Sequence, residues 1–494
     1  MSEMQRDDKP ADFLLPESVK NWFTHIYTHL ISGNVTEMAR LYDREFASLT
    51  NNYFKQTSWP EPSAIESLVD EDPTFLLLYK QIYFRHMFSK LSPGMDLKVE
   101  SWNTYCAIFD GILDKSLELE ALPSQWLFDI VGEFVYQYQS FCQYRAKVGS
   151  KSDAEIALFK ANESIWDTTK VLNYLQAIVR YSNIVEILKN DDDGSKGVPT
   201  PSDAIKELGY FSLVCLSRAH VLYGDYYTSL KLLEPFDFYN KKSGVDAKKS
   251  NSQIYEKSPS CHVSAFYHMG VAQLMLEDFA GAVRSFSTII LQVNRGRNYY
   301  SRFSDYDQLS KMTEKALALL SIAVFLCPGQ KVTDQVHSLI REKYQEKQAK
   351  LQKGDLSVLN ELFSYAAPKF IMPACTSPDK PVNRSAELPQ LQQKLFSEIV
   401  ARQQHVPAVR SYVKLYRSIS LAKLAGFRGV DEQQARAELL AYKLHGDAFK
   451  SDVHYYLEND LVLVDDEVSN QRTGEFFMNH IHRFARIVDE CAVE

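Results

Sequence analysis

The sequence predicts a mainly α-helical chain, a tetratricopeptide-like helical-repeat solenoid ending in a winged helix with a small β-hairpin wing, plus a C-terminal helix. Three observations carry that expectation. Glycine supplies only 19 of 494 residues, about half of ordinary usage, as suits long helices joined by few special turns. Apolar residues recur with helical period along most of the chain. Between Val409 and Asp466 three short helices are followed by two short β-rich runs that read as a hairpin.

Taken in order, the first helix begins at Pro16, carries Val19, Trp22, Phe23, Ile26 and Leu30 on one face, and ends at Gly33. Trp59-Pro60-Glu61-Pro62 is a rigid break before a helical stretch from Thr74 to Lys90. Another helix starts near Pro123 and aligns Leu127, Ile130, Val131, Phe134, Tyr138 and Phe141. No tryptophan follows Trp166, so the largest aromatics belong to an N-terminal helical core. Asn190 to Ser202 is polar, contains Gly and Pro, and marks the clearest internal boundary.

The repeat signal follows. Leu208 to Tyr223, a turn at Gly224-Asp225, and a helix with Tyr226, Ser229 and Leu233 form one hairpin. Phe266 to Val293 form a second, where Gly270, Ala282 and Phe286 match the small, small, aromatic positions of a tetratricopeptide-type repeat. The excess over the usual period of about 34 residues falls in a polar insertion from Phe238 to Pro259. Ala316 to Cys327 and Val332 to Tyr344 make a third pair. Each hairpin alone leaves an apolar face in water, so the pairs must stack. Pro368, Pro373, Pro378 and Pro381 mark a loop, and a helix from about Leu388 leads into the last module. The expected division is 1–256 for an N-terminal helical domain running into repeats, 257–468 for repeats plus the winged helix (405–468), and 469–494 for an amphipathic helix.

In the winged helix, Val409, Tyr412, Val413 and Tyr416 stripe the first helix. Ser420 caps a short second one, Leu421 to Ala425, which Gly426 closes. Asp431 caps the third, with Gln434 placed to complete a capping box and Ala435, Leu439 and Tyr442 facing inward. Val453 to Leu457 and Leu461 to Val464 pair through Glu458-Asn459-Asp460.

A module that reads DNA places Arg, Lys, Asn or Gln along the third helix and bases in the wing. Here that helix carries Asp431, Glu432 and Glu438 against Arg436 and Lys443, and Glu458, Asp460, Asp465, Asp466 and Glu467 flank the wing. Acids cannot release counterions from a phosphate backbone. The hairpin edge is better suited to a protein partner, which makes Tyr455, Leu461 and Val462 candidate interface residues. From Gly474 to Val488, Phe477, Ile481, Phe484 and Val488 line one helical face. That stripe either packs back on its own domain or joins a bundle with helices of neighbouring subunits.

A net charge of -8 and a pI near 5.9 give no global attraction to nucleic acid. Seven scattered cysteines with no C-x-x-C pair point to reduced, mostly buried thiols in a cytosolic or nuclear protein. The N-terminus has no apolar stretch of the signal-peptide kind. The longest apolar run, Ala316 to Cys327, falls short of the roughly 18 residues a bilayer needs, so no membrane partner is expected.

No phosphate loop or hydrolase motif appears, so no enzyme activity and no cofactor are expected. His25 and His29 have ligand spacing, but nothing completes a metal site. His480 and His482 resemble the start of a metalloprotease motif that requires Ser where Glu490 stands. Lys241, Lys242, Lys248, Lys249 and Lys257 make the inserted loop basic: a solvated loop, or a weak RNA contact.

Helical repeats, a winged helix and a terminal helix together resemble the plan of PCI-domain subunits. Several stretches are specifically similar to the L-subunit family of eukaryotic translation initiation factor 3. They include Phe54-Lys55 with Trp59-Pro60-Glu61, Phe75 to Lys80 with Tyr83 and Arg85-His86, and Gln125 to Leu127 running to Gln137 to Phe141. Leu208 to Leu213, Gly224 to Tyr227, Gln352 to Asp355, Glu361 to Tyr365 and Ala422 to Phe427 continue the similarity. The resemblance implies a non-catalytic scaffold that supports small ribosomal subunit binding and recruitment of initiator tRNA and mRNA. It implies as partners the other subunits of that factor, notably the K subunit and the other PCI subunits, with any RNA contact indirect. In that family the winged helices align edge to edge and the terminal helices gather in a bundle. Members carry a longer acidic, tyrosine-rich N-terminal extension, which this sequence lacks ahead of Pro16. A scaffold subunit of another PCI assembly, of the proteasome-lid or signalosome type, is the alternative.

Overall fold

A computed structural model describes residues 15–91, 93–147, 151–162, 164–190, 202–236, 258–301, 306–327, 330–352, 355, 357–372, 386–403, 405–445 and 454–465, with further helical positions between 474 and 488. The chain divides into two compact units of interleaved segments. The first comprises Met1–Ala272, Thr288–Ala316 and Pro368–Gln390, and the second Gln273–Ser287, Leu317–Ala367 and Leu391–Glu494. The polar stretch from Asn190 to Ser202, expected as an internal boundary, lies outside the described residues but for its two ends.

The first unit is built on aromatic packing between helices. Its opening helix, Glu17–Ser32, starts after Pro16 and stops at Gly33, whose φ of 68° lets its N–H reach back to the His29 and Leu30 carbonyls. All five tryptophans are buried. Trp59 stacks on Phe46 at 4.6 Å, Trp126 on Tyr42 at 4.7 Å, and Trp102 and Trp166 meet at 5.1 Å. Burying an indole strands its N–H unless an acceptor is supplied. Trp22 donates to the Leu41 carbonyl, Trp59 to the Thr50 hydroxyl, Trp126 to Gln81 Oε1 and Trp166 to the Lys98 carbonyl. Leu41 opens a π-helical turn, Leu41–Glu45, that no sequence pattern announced. Its carbonyl accepts the Phe46 N–H as well as the Trp22 indole.

The three helical hairpins are present. Asp203–Tyr223 turns at Gly224 (φ 83°) into Tyr226–Leu233, with Asp225 capping through the Thr228 N–H. Pro259–Met275 leads into Phe279–Arg295, and Tyr306–Leu326 into Asp334–Gln352. Cys327 closes the third pair's first helix, and Gly270, Ala282 and Phe286 are buried as the repeat pattern requires.

In the second unit, Val406–Leu415, Leu421–Arg428 and Glu432–His445 form the helices of the winged helix. Its sheet has three antiparallel strands rather than the two that the hairpin implied. They are β1 (Ser418–Ser420), β2 (His454–Glu458) and β3 (Leu461–Asp465), in the order β1-β3-β2. β1 pairs Ser418, Ile419 and Ser420 with Leu463, Val462 and Leu461. The second helix is longer than expected. Gly426 stays helical, and Gly429, at φ 67°, closes it. The extra turn is held by its own side chains: Phe427 stacks on Tyr412 at 5.5 Å, and Arg428 donates to Glu438 at 3.1 Å. The caps at Ser420 and Asp431 are as read, accepting from the Lys423 and Gln434 N–H groups.

Candidate docking surfaces

The wing is a tight two-residue turn. Asn459 and Asp460 both take positive φ (45° and 67°), and Glu458 pairs with Leu461 across it. This is the primed geometry whose twist matches the strands, and Asn and Asp tolerate it better than branched residues do. Pleating then decides which side chains a partner could meet. Tyr455 and Val462 point inward, at 8% and 0% exposure, and belong to the core with Val409, Val413, Ile419, Leu439 and Tyr442. Tyr455 stacks on Tyr442 at 5.6 Å and donates its hydroxyl to the Leu439 carbonyl. Tyr456, Leu457 and Leu461 are exposed. The edge therefore offers Tyr456, Leu457 and the outer backbone of β2, while Tyr455 and Val462 are anchors. Leu461 is the one strand residue of the expected three whose side chain is accessible.

The charges close the nucleic-acid reading further. Arg436, a cation on the third helix, forms an ion pair with Asp460 in the wing turn. Arg428 is engaged by Glu438 and His405, and Lys443 lies over the Tyr455 ring. Cations with protein partners are not aimed at phosphate.

The described positions of the terminal segment are helical, and its stripe is uncovered. Phe477, Ile481, Phe484 and Val488 are between 58% and 65% exposed. Singly exposed apolar residues are ordinary, whereas four on one helical face form a continuous apolar stripe in water. Lys241, Lys242, Lys248 and Lys249 lie outside the described residues. Among the described residues no group of three or more His, Cys, Asp or Glu could hold a metal ion, and no helix is long and apolar enough to cross a membrane.

Comparison with known proteins supplies what geometry alone cannot. The family described as Paf67, RNA polymerase I-associated factor PAF67, matches residues 97–484. The eukaryotic translation initiation factor 3 subunit L of Nematostella vectensis is 37% identical over 97% of this chain and 93% of its own length. The chain belongs to the initiation factor 3 subunit L family. Subunit L of Danio rerio is 36% identical over 98% of this chain and 90% of its own, and that of Homo sapiens 37% over 96% and 90%. The match to the Paf67 family, over residues 97–484, takes in the helical hairpins, the winged helix and the terminal stripe as far as Phe484.

Proposed function

We propose that this chain is a non-catalytic scaffold subunit of the cytoplasmic eukaryotic translation initiation factor 3 complex, supporting small ribosomal subunit binding and recruitment of initiator tRNA and mRNA. The observation that carries this reading is similarity to subunit L proteins along nearly the whole of both chains. The exposed terminal stripe and the β2 edge, which pairs with no further strand among the described residues, support it, because each is a surface that a lone protein has no reason to leave in water. In this reading residues 257–468 act as the PCI domain. The β2 edge, with Leu461 beside it, meets another PCI subunit, and Phe477, Ile481, Phe484 and Val488 enter a helical bundle with neighbours that include the K subunit. RNA contact through Lys241, Lys242, Lys248 and Lys249 is indirect or weak.

Affinity purification with crosslinking tests the proposal. It expects other subunits of the factor and small-subunit ribosomal proteins, with crosslinks from the terminal helix to a neighbouring subunit. Recovery of proteasome-lid or signalosome subunits in their place would overturn it. Recovery of RNA polymerase I would favour the association named in the Paf67 description.

A further inference from the structure

A cavity of about 290 Å³ lies within the first unit, walled by the helices Pro73–Lys90, Ser124–Ala146, Asp203–Tyr223, Pro259–Met275 and Tyr306–Leu326 and by the segment at Pro368. Its charges do not balance. Arg85 faces it already paired with Asp129 at 2.6 Å. That leaves Arg218, Lys315 and Lys369 on the wall against one acid, Glu133. Neither Lys315 nor Lys369 forms an ion pair among the described residues.

Gln139 organises the cations. Its Oε1 accepts from Arg218 at 3.4 Å, while its Nε2 donates to the Lys369 carbonyl at 2.7 Å. One amide thus fixes a guanidinium and the backbone that carries a lysine. His268, buried beside them, donates through Nδ1 to the Ser264 carbonyl at 2.7 Å. Burial, and then Arg218, push its pKa down to about 3, so it adds polarity without charge. Gathering like charges around a half-enclosed space raises the energy of the empty site. Burial and the neighbouring Lys369 accordingly lower the Lys315 amine from its ordinary value. A dianion with several acceptor oxygens would relieve that repulsion.

We propose that this cavity binds a small-molecule phosphate monoester, its dianion held by Arg218, Lys315 and Lys369. The volume stands at the lower end of small-ligand sites, and a walled cavity is not the open basic track that a nucleic-acid strand requires.

Calorimetric titration of the purified full chain tests this, with AMP, inorganic phosphate and a ten-residue glutamate peptide as probes at constant ionic strength in sodium chloride. AMP and phosphate should bind saturably. The Lys315→Ala, Lys369→Ala double variant should weaken both by about tenfold or more. Lys369→Glu alters an exposed side chain that can change without disturbing the core, and it should weaken them on its own. Absence of saturable binding by AMP and phosphate, or unchanged affinity in both variants, would overturn the proposal. Tighter binding of the glutamate peptide than of AMP would also overturn it, and would make the cavity a dock for an acidic protein segment.

Discussion

Asp129 sits at 6% exposure with its carboxylate held by Arg85 at 2.6 Å, the Tyr42 hydroxyl at 2.7 Å and Gln125 Nε2 at 3.0 Å. A buried acid is tolerable only while its partners stay, and removing one side of such a pair leaves the other charge poorly compensated. Asp129→Ala is therefore expected to destabilise the first unit by about 3–5 kcal/mol, and Tyr42→Phe by about 1 kcal/mol. Thermal unfolding of the purified chain measures the difference. His268 makes a second prediction at this scale. Its folded pKa of about 3 lies below the ordinary 6.5, so between those values the unfolded chain binds a proton that the folded chain refuses. Stability is thus complete above about pH 6.5 and falls by about 1.4 kcal/mol for each pH unit below it. His268→Gln removes that dependence, and the slope of Tm against pH on the acid side should be shallower than in the parent.

Among the elements, the wing turn is the most sharply constrained. Asn459→Val places a branched residue at positive φ and is expected to cost about 1–2 kcal/mol, whereas Asn459→Gly is expected to be neutral or slightly stabilising. Unfolding of the two variants side by side checks the order. The same module shows what the sequence could and could not disclose. Its three helices and hairpin were legible because Val409, Val413, Leu439 and Tyr442 keep helical spacing and the wing alternates. Strand β1 was not legible: three residues cannot display a period, and its identity depends on pairing with Leu461 to Leu463, far along the chain. The end of the second helix is not legible because Gly426 and Gly429 look alike in sequence, and only tertiary contacts of Phe427 and Arg428 decide between them. The burial of Tyr455 and Val462 is not legible either, because pleat direction follows from register, which a hairpin alone does not fix. The cations of the cavity left no local signal at all, since Arg218, Lys315 and Lys369 stand on separate elements.

At the scale of the whole molecule, the terminal stripe separates assembly from folding. Ile481→Asp or Phe484→Asp changes a side chain already in water, so stability should move by less than about 0.5 kcal/mol. Recovery of partner subunits should fall sharply, and unaltered recovery with either variant would remove the stripe from the interface. The interleaving of the two units has a different consequence. The chain passes from one to the other after Ala272, Ser287, Ala316, Ala367 and Gln390, so no single cut separates one unit cleanly from the other. A fragment ending before Pro259 deprives the first unit of segments it needs, and a fragment beginning there carries orphaned pieces of it. Neither half corresponds to one unit alone. A ribosome that releases this protein before Gln390 therefore leaves neither unit whole, however much of the chain it has already made.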